Sequence, residues 1–538
     1  MVRRIGVIGG GTAGYLAALT LRKYLPDAEI SLLESTKIPV IGVGEATTSE
    51  FPPFLYRVLD LDIEDFYRKV QPTWKLGIRF EWGEPGDYYF NYPFDTGSVA
   101  ESQEYDGHIR RATLESVLMS RDLTPVVHSA PGHPFSLLAL YPYGYHIDNK
   151  RILAYLRELA QARGITHVDC TVAEVLPGAG GTVEAVKADD GRTHRFDFFV
   201  DCTGFRSLLL EKTLGSPFLS YASSLFTDSA FFGNAPHGGR VRPYTTARTM
   251  ENGWAWTIPQ RDEDHHGYVF SSRFTTDEEA EAEFRRVYPG LESLRKVTFR
   301  SGRHREFVKG NVAAIGNSYG FVEPLESTGL FVICRQSLLL ALALSRTGGA
   351  ALPDKLIDAA NGAIADTWDF IRWFLSLHYR FNGRSDSEFW RACRDQVDIS
   401  GIEHALQRFT THGALSYSTA DLSVGGTINF GAFGHDVLLF GQRVPHGVTG
   451  ARESREAYER RVRGYEEIAA DALPHPDALR FLEANPQVLR EPVNSESSWM
   501  ANFMNSVLEL CEESLDTGRS RDTDLAVPFP PLEGDKRS

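Results

Sequence analysis

Three glycines near the N-terminus have the spacing of a loop that binds a dinucleotide. The run Gly9-Gly10-Gly11-Thr12-Ala13-Gly14 fits the pattern G-x-G-x-x-G. Glycines let the backbone approach a pyrophosphate closely, and the N-terminus of a following helix offers N–H groups to its charge. Glu34 follows Gly14 by twenty positions, where a carboxylate would bind ribose hydroxyls. An acid at this place favours FAD or NAD as the ligand and disfavours a 2′-phosphate.

This fingerprint is informative only where a strand precedes it and a helix follows it. Residues 4–8 have the apolar composition of a short buried strand, residues 12–24 have helical spacing, and residues 29–34 form a second predicted strand. The order strand, glycine turn, helix, strand is therefore complete. The alternative, a glycine-rich turn in an unrelated α/β protein, is disfavoured by this context.

Two later strands extend the same unit. Residues 197–204 end in Thr-Gly, and residues 311–317 end in a tight glycine turn. Both resemble segments that close over FAD in flavin monooxygenases, and no second G-x-G-x-x-G occurs that would indicate a built-in NAD(P)H domain. We therefore predict an α/β fold, namely an FAD-binding Rossmann-type (flavin monooxygenase-like) fold with inserted antiparallel sheets and a mainly helical C-terminal substrate region.

The predicted module covers residues 1–350 and is discontinuous. Its segments lie at about 1–50, 149–210 and 300–350, with sheet insertions at about 72–145, where aromatic residues alternate, and at about 215–300. Residues 351–517 are predicted to form a mainly helical region that covers the substrate. Residues 518–538, rich in proline and charge, are predicted to be a mobile tail.

Composition excludes several classes of partner. With 56 basic and 71 acidic residues the net charge is −15, which argues against binding nucleic acid or an anionic membrane. The five cysteines are scattered without a C-x-x-C pair, as in reduced cytosolic proteins. The chain starts without a signal-like region, and the most apolar run, residues 338–344, is too short to span a bilayer. We predict a cytoplasmic monomer or homodimer.

One cluster of potential metal ligands also occurs. His265 and His266 stand beside Asp262 and Asp264 in a charged stretch. Their spacing is not that of a typical ligand set, so we predict a solvated turn at this place and no metal site.

Three motifs together resemble the flavin-dependent halogenases of the tryptophan-halogenase family. Residues 253–259 fit W-x-W-x-I-P, residues 72–80 resemble the strand that carries the family's catalytic lysine, and residues 323–329 match the loop beside the flavin ring. Residues 41–47 and the stretch from His378 to Trp390 are also similar. The resemblance extends from residue 3 to about residue 390.

The resemblance implies a reaction and its participants. FAD, as FADH2 from a separate flavin reductase, would react with oxygen and chloride or bromide to give hypohalous acid. Lys75 would hold this oxidant, either by a hydrogen bond or as a haloamine. Glu326 would orient the oxidant or take the proton from the halogenated ring. Thr328 and Gly329 would bind the halide through backbone N–H groups at a helix start.

The resemblance also implies the residues that bind the cofactor. These are Gly9, Gly11, Thr12, Ala13, Gly14, Glu34, Ser35, Ala46, Val172, Asn317 and Leu330.

Each proposed role has a structural alternative. Lys75 alternates with its neighbours in a strand and could simply face solvent, and Glu326 could cap the helix that follows it. Trp254 and Trp256 point to the same face of a strand. Together with Ile258 they are either plain core or a wall that keeps the substrate away from the flavin, and one arrangement could do both.

The substrate is predicted to differ from free tryptophan. Enzymes of the family that halogenate free tryptophan carry a histidine before a Pro-Phe pair, whereas Tyr92 stands there in this chain. Their tyrosine-, tryptophan- and glutamate-rich lid has no recognisable counterpart between residues 400 and 500. We therefore predict indole or another indolic compound as substrate, with Tyr92, Phe94 and Tyr89 as candidates for stacking on its ring.

Two other functions remain possible from the sequence alone. A flavin-dependent aromatic monooxygenase would hydroxylate the substrate, and a flavin-binding scaffold would have lost catalysis. The paired tryptophans argue against the first of these functions, and the presence of both Lys75 and Glu326 argues against the second.

Overall fold

A six-stranded sheet carries the glycine turn. The computed structural model of the chain describes residues 2–38, 44–128, 134–417, 431–447 and 450–517. In spatial order the strands of this sheet are Thr166–Asp169, Glu29–Glu34, Arg4–Ile8, Phe198–Asp201, Val312–Ala314 and Val308–Lys309. All neighbours are parallel except the last pair. Ile5 and Val7 are fully buried, as expected for a parallel strand covered on both faces.

A seven-stranded sheet forms the second large layer. Its strands, in spatial order, are Arg295–Thr298, Ser229–Ala235, Asp264–Phe270, Gly253–Pro259, Thr245–Met250, Gly77–Glu81 and Phe90–Pro93. The pairing is antiparallel except between Thr245–Met250 and Gly77–Glu81. One face packs on the helix Asp277–Val287 through a cluster that includes Tyr268, Phe270 and Phe284. The other face is therefore free to line a site.

Four three-stranded sheets complete the strands. They consist of Val172–Pro177, Val183–Ala188 and Thr193–His194; Phe218–Ser220, Gly302–His304 and Gly320–Phe321; Ala472–Pro474, Leu123–His128 and Pro134–Ser136; and Glu45–Ala46, Gly144–Ile147 and Thr73–Lys75.

Helices occur along the whole of the described chain and dominate it after residue 350. In chain order the α-helices are Thr12–Tyr24, Phe51–Pro53, Ile63–Val70, Val99–Asp106, Leu114–Ser120, Asn149–Ala162, Asp277–Val287, Thr328–Arg346, Asp354–Arg380, Glu388–Gln396, Glu403–His412, Ala432–Gly441, Arg455–Ala470, His475–Ala484, Arg490–Asn494 and Trp499–Thr517. Short 3-10 or π turns lie at Phe54–Val58, Gly204–Arg206, Leu208–Thr213, Gly316–Ser318, Pro324–Glu326, Leu415–Tyr417 and Pro486–Leu489.

One helix is largely apolar. The apolar run at residues 338–344 belongs to Thr328–Arg346, whose 19 residues are long and apolar enough to cross a membrane. Within its most apolar window 78% of the residues are buried in the protein, and it packs against Thr12–Tyr24. Its composition is therefore that of a central core helix.

Three regions differ from the predicted secondary structure. The stretch predicted as sheet at about 72–145 also contains the helices Val99–Asp106 and Leu114–Ser120, and the stretch at about 215–300 contains Asp277–Val287. In the mainly helical region, Ala472–Pro474 pairs with Leu123–His128, so that region shares a sheet with an insertion. The domain boundaries stay a prediction, and the predicted tail at 518–538 lies outside the described residues.

Candidate active site

The register of the seven-stranded sheet places Trp254, Trp256, Ile258 and Tyr92 on one face. Trp254, Trp256 and Ile258 alternate along one strand and therefore point the same way. Across the sheet, Trp256 pairs with Ala247, and Ala247 pairs with Phe80. In the next row on the same face, Thr245 pairs with Ile78, and Ile78 pairs with Tyr92. Directly paired residues share a face, so Tyr92 joins the three residues from a strand some 160 positions away in sequence. We call this surface the tryptophan face.

A glycine on the neighbouring strand makes room for Trp256. Gly267 is paired with Trp256, and a Cβ added at Gly267 would lie 1.9 Å from the indole ring. The ring of Trp256 lies 5.9 Å from that of Trp254, centroid to centroid. Both side chains are buried, at 5% and 1% exposure. The sequence expectation that the two indoles share one face is confirmed, and their position depends on a residue without a side chain.

Gly267→Ala should therefore displace the Trp256 ring. Overpacking of this kind costs about 1–3 kcal/mol of folding free energy, and the shifted ring should lower the halogenated product formed per reduced flavin consumed. Denaturant unfolding and product analysis measure the two effects. Gly290→Ala is the matched control, because Gly290 is exposed and a Cβ there would meet its nearest atom, on Ala235, at 3.4 Å. Equal behaviour of the two variants would contradict the packing explanation.

A buried carboxylate anchors Trp254. The indole N–H donates to Glu323 Oε1 at 3.3 Å, and the hydroxyls of Tyr379 and Thr227 also donate to this carboxylate. Glu323 is fully buried, and its burial raises its pKa. Glu323 has no role predicted from the sequence, although it lies in the same motif as Glu326.

Lys75 is enclosed by the protein. It is 0% exposed, and Nζ donates to the carbonyl oxygen of Thr47 at 3.1 Å and to Ser327 Oγ at 2.7 Å. Nζ also lies 5.4 Å from the ring centroid of Phe94. Burial lowers the pKa of Lys75 to about 7, and the nearby Glu326 carboxylate opposes this change. The alternative that Lys75 faces solvent is wrong.

The strand of Lys75 is fixed from two sides. Thr73–Lys75 pairs with Gly144–Ile147, and the N–H of Trp74 donates to His475 Nε2 at 3.2 Å. The rings of Trp74 and His475 stack at 5.3 Å. Burial lowers the pKa of His475 to about 3, so the ring is neutral and Nε2 can accept this bond. The helix His475–Ala484 thus helps to fix the strand that carries Lys75.

Glu326 pairs with a histidine from the long helix Asp354–Arg380. His378 Nε2 lies 2.7 Å from Glu326 Oε1, and the residues are 0% and 3% exposed. The alternative that Glu326 caps the following helix is wrong, because the N-cap residue Ser327 makes no side-chain capping bond and the Glu326 carboxylate faces His378. His378 begins a stretch that resembles the family, but it has no role predicted from the sequence.

The predicted halide residues begin the helix Thr328–Arg346. Ser327 precedes them in the left-handed conformation, with φ of 58°, and its hydroxyl oxygen accepts from Lys75 instead of capping the helix. A Cβ at Gly329 would meet no atom within 4 Å. The first backbone N–H groups of this helix therefore have no side-chain cap, and the space next to Gly329 is open, so an anion could bind there. The halide role itself stays a prediction.

The glycine turn fits a dinucleotide. Gly9 has φ of +121°, and a Cβ on Gly14 would lie 1.9 Å from the Gly9 carbonyl oxygen, so the helix packs closely on the strand. At Gly11 a Cβ would meet nothing within 4 Å, and the helix it precedes has no side-chain cap. The helix N-terminus is thus open for a phosphate.

Glu34 is held in place beside this turn. Its Oε1 accepts hydrogen bonds from Tyr15, Arg157 and His167, while Oε2 faces Gly10. This arrangement fixes the carboxylate and leaves Oε2 toward the turn, as a ribose ligand requires. The binding of FAD by these residues stays a prediction.

The other predicted cofactor residues are distributed around the same sheet. Ser35 Oγ bonds to Thr171 Oγ1 at 2.8 Å, and Val172 begins the next strand. Asn317 is exposed in a 3-10 turn, and Leu330 is buried in the apolar core helix. Thr12, at the helix start, lies 3.3 Å from the Glu45 carboxylate next to Ala46. Burial raises the pKa of Glu45 to about 7.

Tyr92 is buried among other rings. Its ring meets those of Phe80 and Phe374 edge-on, at 6.5 and 6.1 Å, and its hydroxyl has no hydrogen-bond partner among the described residues. Burial, assisted by Glu326, raises the pKa of Tyr92 well above its ordinary value. An unpartnered buried hydroxyl is available to a ligand. Stacking on a substrate by Tyr92 or Phe94 stays a prediction.

The expected turn at His265 and His266 is wrong. Both residues lie in the strand Asp264–Phe270, between two antiparallel neighbours, and are 6% and 7% exposed. His266 Nδ1 is 3.0 Å from Thr257 Oγ1, and burial lowers its pKa to about 4. Charged residues at the strand start concealed its buried character. Within the described ranges no group of three potential metal ligands occurs.

Comparison with known proteins identifies the family. The family model described as "Tryptophan halogenase" matches residues 4–427. Tryptophan 7-halogenase RebH from Lentzea aerocolonigenes is 31% identical over 78% of this chain and 84% of its own. 7-Chloro-L-tryptophan 6-halogenase KtzR from Kutzneria sp. (strain 744) is 33% identical over 78% and 90%.

Solved structures agree with the sequence comparison. MibH, a lanthipeptide tryptophan 5-halogenase, is 48% identical, with a TM-score of 0.88 over 93% of this chain and 97% of its own. BrvH, a flavin-dependent halogenase from Brevundimonas sp. BAL3, is 27% identical, with a TM-score of 0.76 over 90% and 99%. The predicted fold class and the halogenase prediction are thereby confirmed. The chain belongs to the flavin-dependent tryptophan halogenase family.

Proposed function

We propose that this halogenase uses FADH2, oxygen and chloride or bromide to halogenate an indole ring that is part of a molecule other than free tryptophan. A tryptophan residue within a peptide is the first candidate. The observation that carries the proposal is the buried amine of Lys75, which lies close to the ring of Phe94 and interacts with Glu326, the carboxylate that also interacts with Tyr92 of the tryptophan face. This arrangement suits the delivery of an oxidant to an aromatic ring in a space that excludes water.

The cofactor would lie along the glycine turn. Gly9, Gly11 and Gly14 would accommodate its pyrophosphate, and Glu34 Oε2 its ribose. Bound as FADH2, the cofactor would supply hypohalous acid from oxygen and the halide. A separate flavin reductase would provide FADH2, because the chain carries a single dinucleotide fingerprint. We propose that the enzyme acts in the cytoplasm together with this reductase.

Lys75 would hold the oxidant with the part of Nζ that the protein leaves free. Thr47 and Ser327 accept two of its N–H bonds. With its pKa near 7, the remaining position carries a third proton in the ammonium form and a lone pair in the amine form. The ammonium donates a hydrogen bond to hypohalous acid. The amine instead attacks the halogen with its lone pair: the N–halogen bond forms, the O–halogen bond breaks, and the released hydroxide takes one N–H proton and leaves as water. Both forms bring the halogen to the same place.

Glu326 would complete the substitution. When the ring carbon gains the halogen, its C–H bond breaks and the proton passes to Glu326 Oε2, which makes no hydrogen bond among the described residues. Oε1 is occupied by His378, so the two carboxylate oxygens have separate tasks. The Thr328 and Gly329 N–H groups would bind the halide before it is oxidised.

The substrate proposal rests on two independent supports. Tyr92 replaces the histidine that accompanies free-tryptophan substrates in the family resemblance. The chain is also more similar to MibH, at 48% identity, than to RebH, at 31%. A tryptophan residue within a peptide has no free ammonium or carboxylate. A site that does not bind those two groups therefore loses no interaction when its substrate is a peptide.

A direct competition tests this substrate class. The enzyme is given a flavin reductase, FAD, bromide and an equimolar mixture of indole, L-tryptophan and a five-residue peptide with central tryptophan and capped ends. We expect kcat/KM for the capped peptide to exceed that for L-tryptophan at least tenfold, read as brominated product by mass spectrometry. The same peptide with phenylalanine in place of tryptophan is the control. Preference for L-tryptophan would refute the proposal.

A further inference from the structure

The hydrogen bonds of His378 determine how many protons it shares with Glu326. Nδ1 lies 3.0 Å from the Phe374 carbonyl oxygen, which can only accept, so Nδ1 carries a proton. Nε2 lies 2.7 Å from Glu326 Oε1, and a hydrogen bond between these atoms needs one proton. The pair is therefore either an imidazolium facing a carboxylate or a neutral imidazole facing a carboxylic acid. Both forms hold the same number of protons.

The surroundings fix the His378 ring. Phe80 and Phe374 lie at 5.2 Å from it, and Trp82 meets it edge-on at 6.4 Å. Trp82 Nε1 also donates to the His378 carbonyl oxygen at 2.8 Å. The ring is fully buried, so it cannot exchange Glu326 for water without a rearrangement of these aromatic residues.

Three titratable groups face the pair from other elements. Lys75 and Tyr92 interact with Glu326, and Glu323 interacts with His378. His435 is one ring further away, against Phe374. Within the described residues the Glu326 side chain is hydrogen-bonded to His378, which is therefore the group able to share a proton with that carboxylate.

We propose that His378 is the positioning residue that carries the positive charge once Glu326 has removed the ring proton. The proposal rests on the proposed role of Glu326. The ring C–H bond breaks, its electron pair returns to the ring, and the proton binds Oε2. Any proton on Oε1 moves to Nε2. Either starting form thus ends as a carboxylic acid beside an imidazolium, and the extra proton leaves to water after product release.

His378→Gln separates this role from a purely structural one. The glutamine amide can still donate a hydrogen bond to Oε1, but it cannot hold the charge. Glu326 then becomes a buried carboxylate without a cation bonded to it, and burial favours its protonated, inactive form. The variant should therefore lose activity most strongly at low pH and recover as the pH rises.

The ratio of wild-type to variant kcat measures this recovery. Bromination of indole is followed from pH 6 to pH 9. The effects of pH on Lys75 and on the oxidant are the same in both enzymes, so they cancel in the ratio. We expect the ratio to fall at least tenfold across the range. His435→Gln, which removes another buried histidine that packs against Phe374, is the control and should give a flat ratio. A flat ratio for His378→Gln would overturn the proposal.

A spectroscopic measurement tests the proton count without turnover. In protein with 15N-labelled histidine, the His378 signal is assigned by its loss in His378→Gln. We expect protonated Nδ1 in the wild type and an Nε2 shift that moves when Glu326→Gln removes the shared proton. An unprotonated Nδ1, or an Nε2 shift that ignores Glu326→Gln, would refute the shared proton. If the wild type brominates no arene, the proposed function fails while this measurement still decides the pair.

Discussion

Replacing Lys75 with methionine is expected to abolish halogenation, with product falling by at least three orders of magnitude, while flavin binding persists. Methionine keeps the length and apolar stem of lysine but has no N–H donor and no basic lone pair. Thr47 and Ser327 lose their shared donor, and the oxidant loses the group proposed to hold it. Mass spectrometry of the product and titration with FAD measure the two properties separately.

The matched control is Lys187→Met. Lys187 is 48% exposed in a small sheet, where it pairs with Glu174 at 3.8 Å. The variant Lys187→Met removes one lysine without changing the enclosed site, so its activity should equal that of the wild type. Full product formation by Lys75→Met, with scavengers present to remove freely diffusing hypohalous acid, would disprove the role of Lys75.

The same variant should be more stable than the wild type at low pH. Burial of the Lys75 ammonium costs folding free energy, and an apolar side chain of similar length removes that cost, although the hydrogen bonds to Thr47 and Ser327 are lost with it. The pKa of Lys75 is about 7 in the folded chain and 10.5 when unperturbed, so the unfolded chain binds more protons between these values. Wild-type stability therefore rises across this range. The advantage of Lys75→Met is largest below pH 7 and shrinks toward pH 10.5, as unfolding at several pH values would measure.

Local signals made the dinucleotide unit predictable. The helix Thr12–Tyr24 and the strands Arg4–Ile8 and Glu29–Glu34 match the expected bounds, because apolar spacing and glycine positions act within a few residues. The helix Asp277–Val287 was missed although its start carries a complete capping box of Thr276 and Glu279. The aromatic and glycine content of its neighbours outweighed that signal.

The partners of the catalytic candidates were not predictable in the same way. Ser327 is 252 positions from Lys75, and His475 is 401 positions from Trp74. Such contacts depend on how sheets and helices pack, and no periodicity within one sequence encodes them. The family motifs pointed to Lys75 and Glu326, which are both buried, but the partner His378 emerged only from the packing of the helix Asp354–Arg380.

Replacing Glu326 with glutamine should lower kcat by a factor of about 10²–10⁴, the usual contribution of a positioned base. The amide keeps the shape of the side chain and can donate to His378 Nε2, which then accepts, because Nδ1 already carries its proton toward Phe374. FAD affinity and stability should change little. The loss would therefore report the missing proton acceptor and not a collapsed site.

Two further variants separate the base from its position. Glu283→Gln removes another buried carboxylate. Glu283 lies in the helix Asp277–Val287 and accepts a hydrogen bond from Tyr268, so its replacement should leave turnover unchanged. Glu326→Asp keeps the base but withdraws it by one methylene, and displacements of about 1 Å cost on the order of 10²-fold in rate. Since Oε1 is tied to His378, the shorter side chain must give up either that bond or the approach of Oε2 to the substrate. Turnover should thus fall in both Glu326 variants. Near-normal turnover in Glu326→Gln would limit Glu326 to a structural role, because that variant lacks only the ability to take a proton.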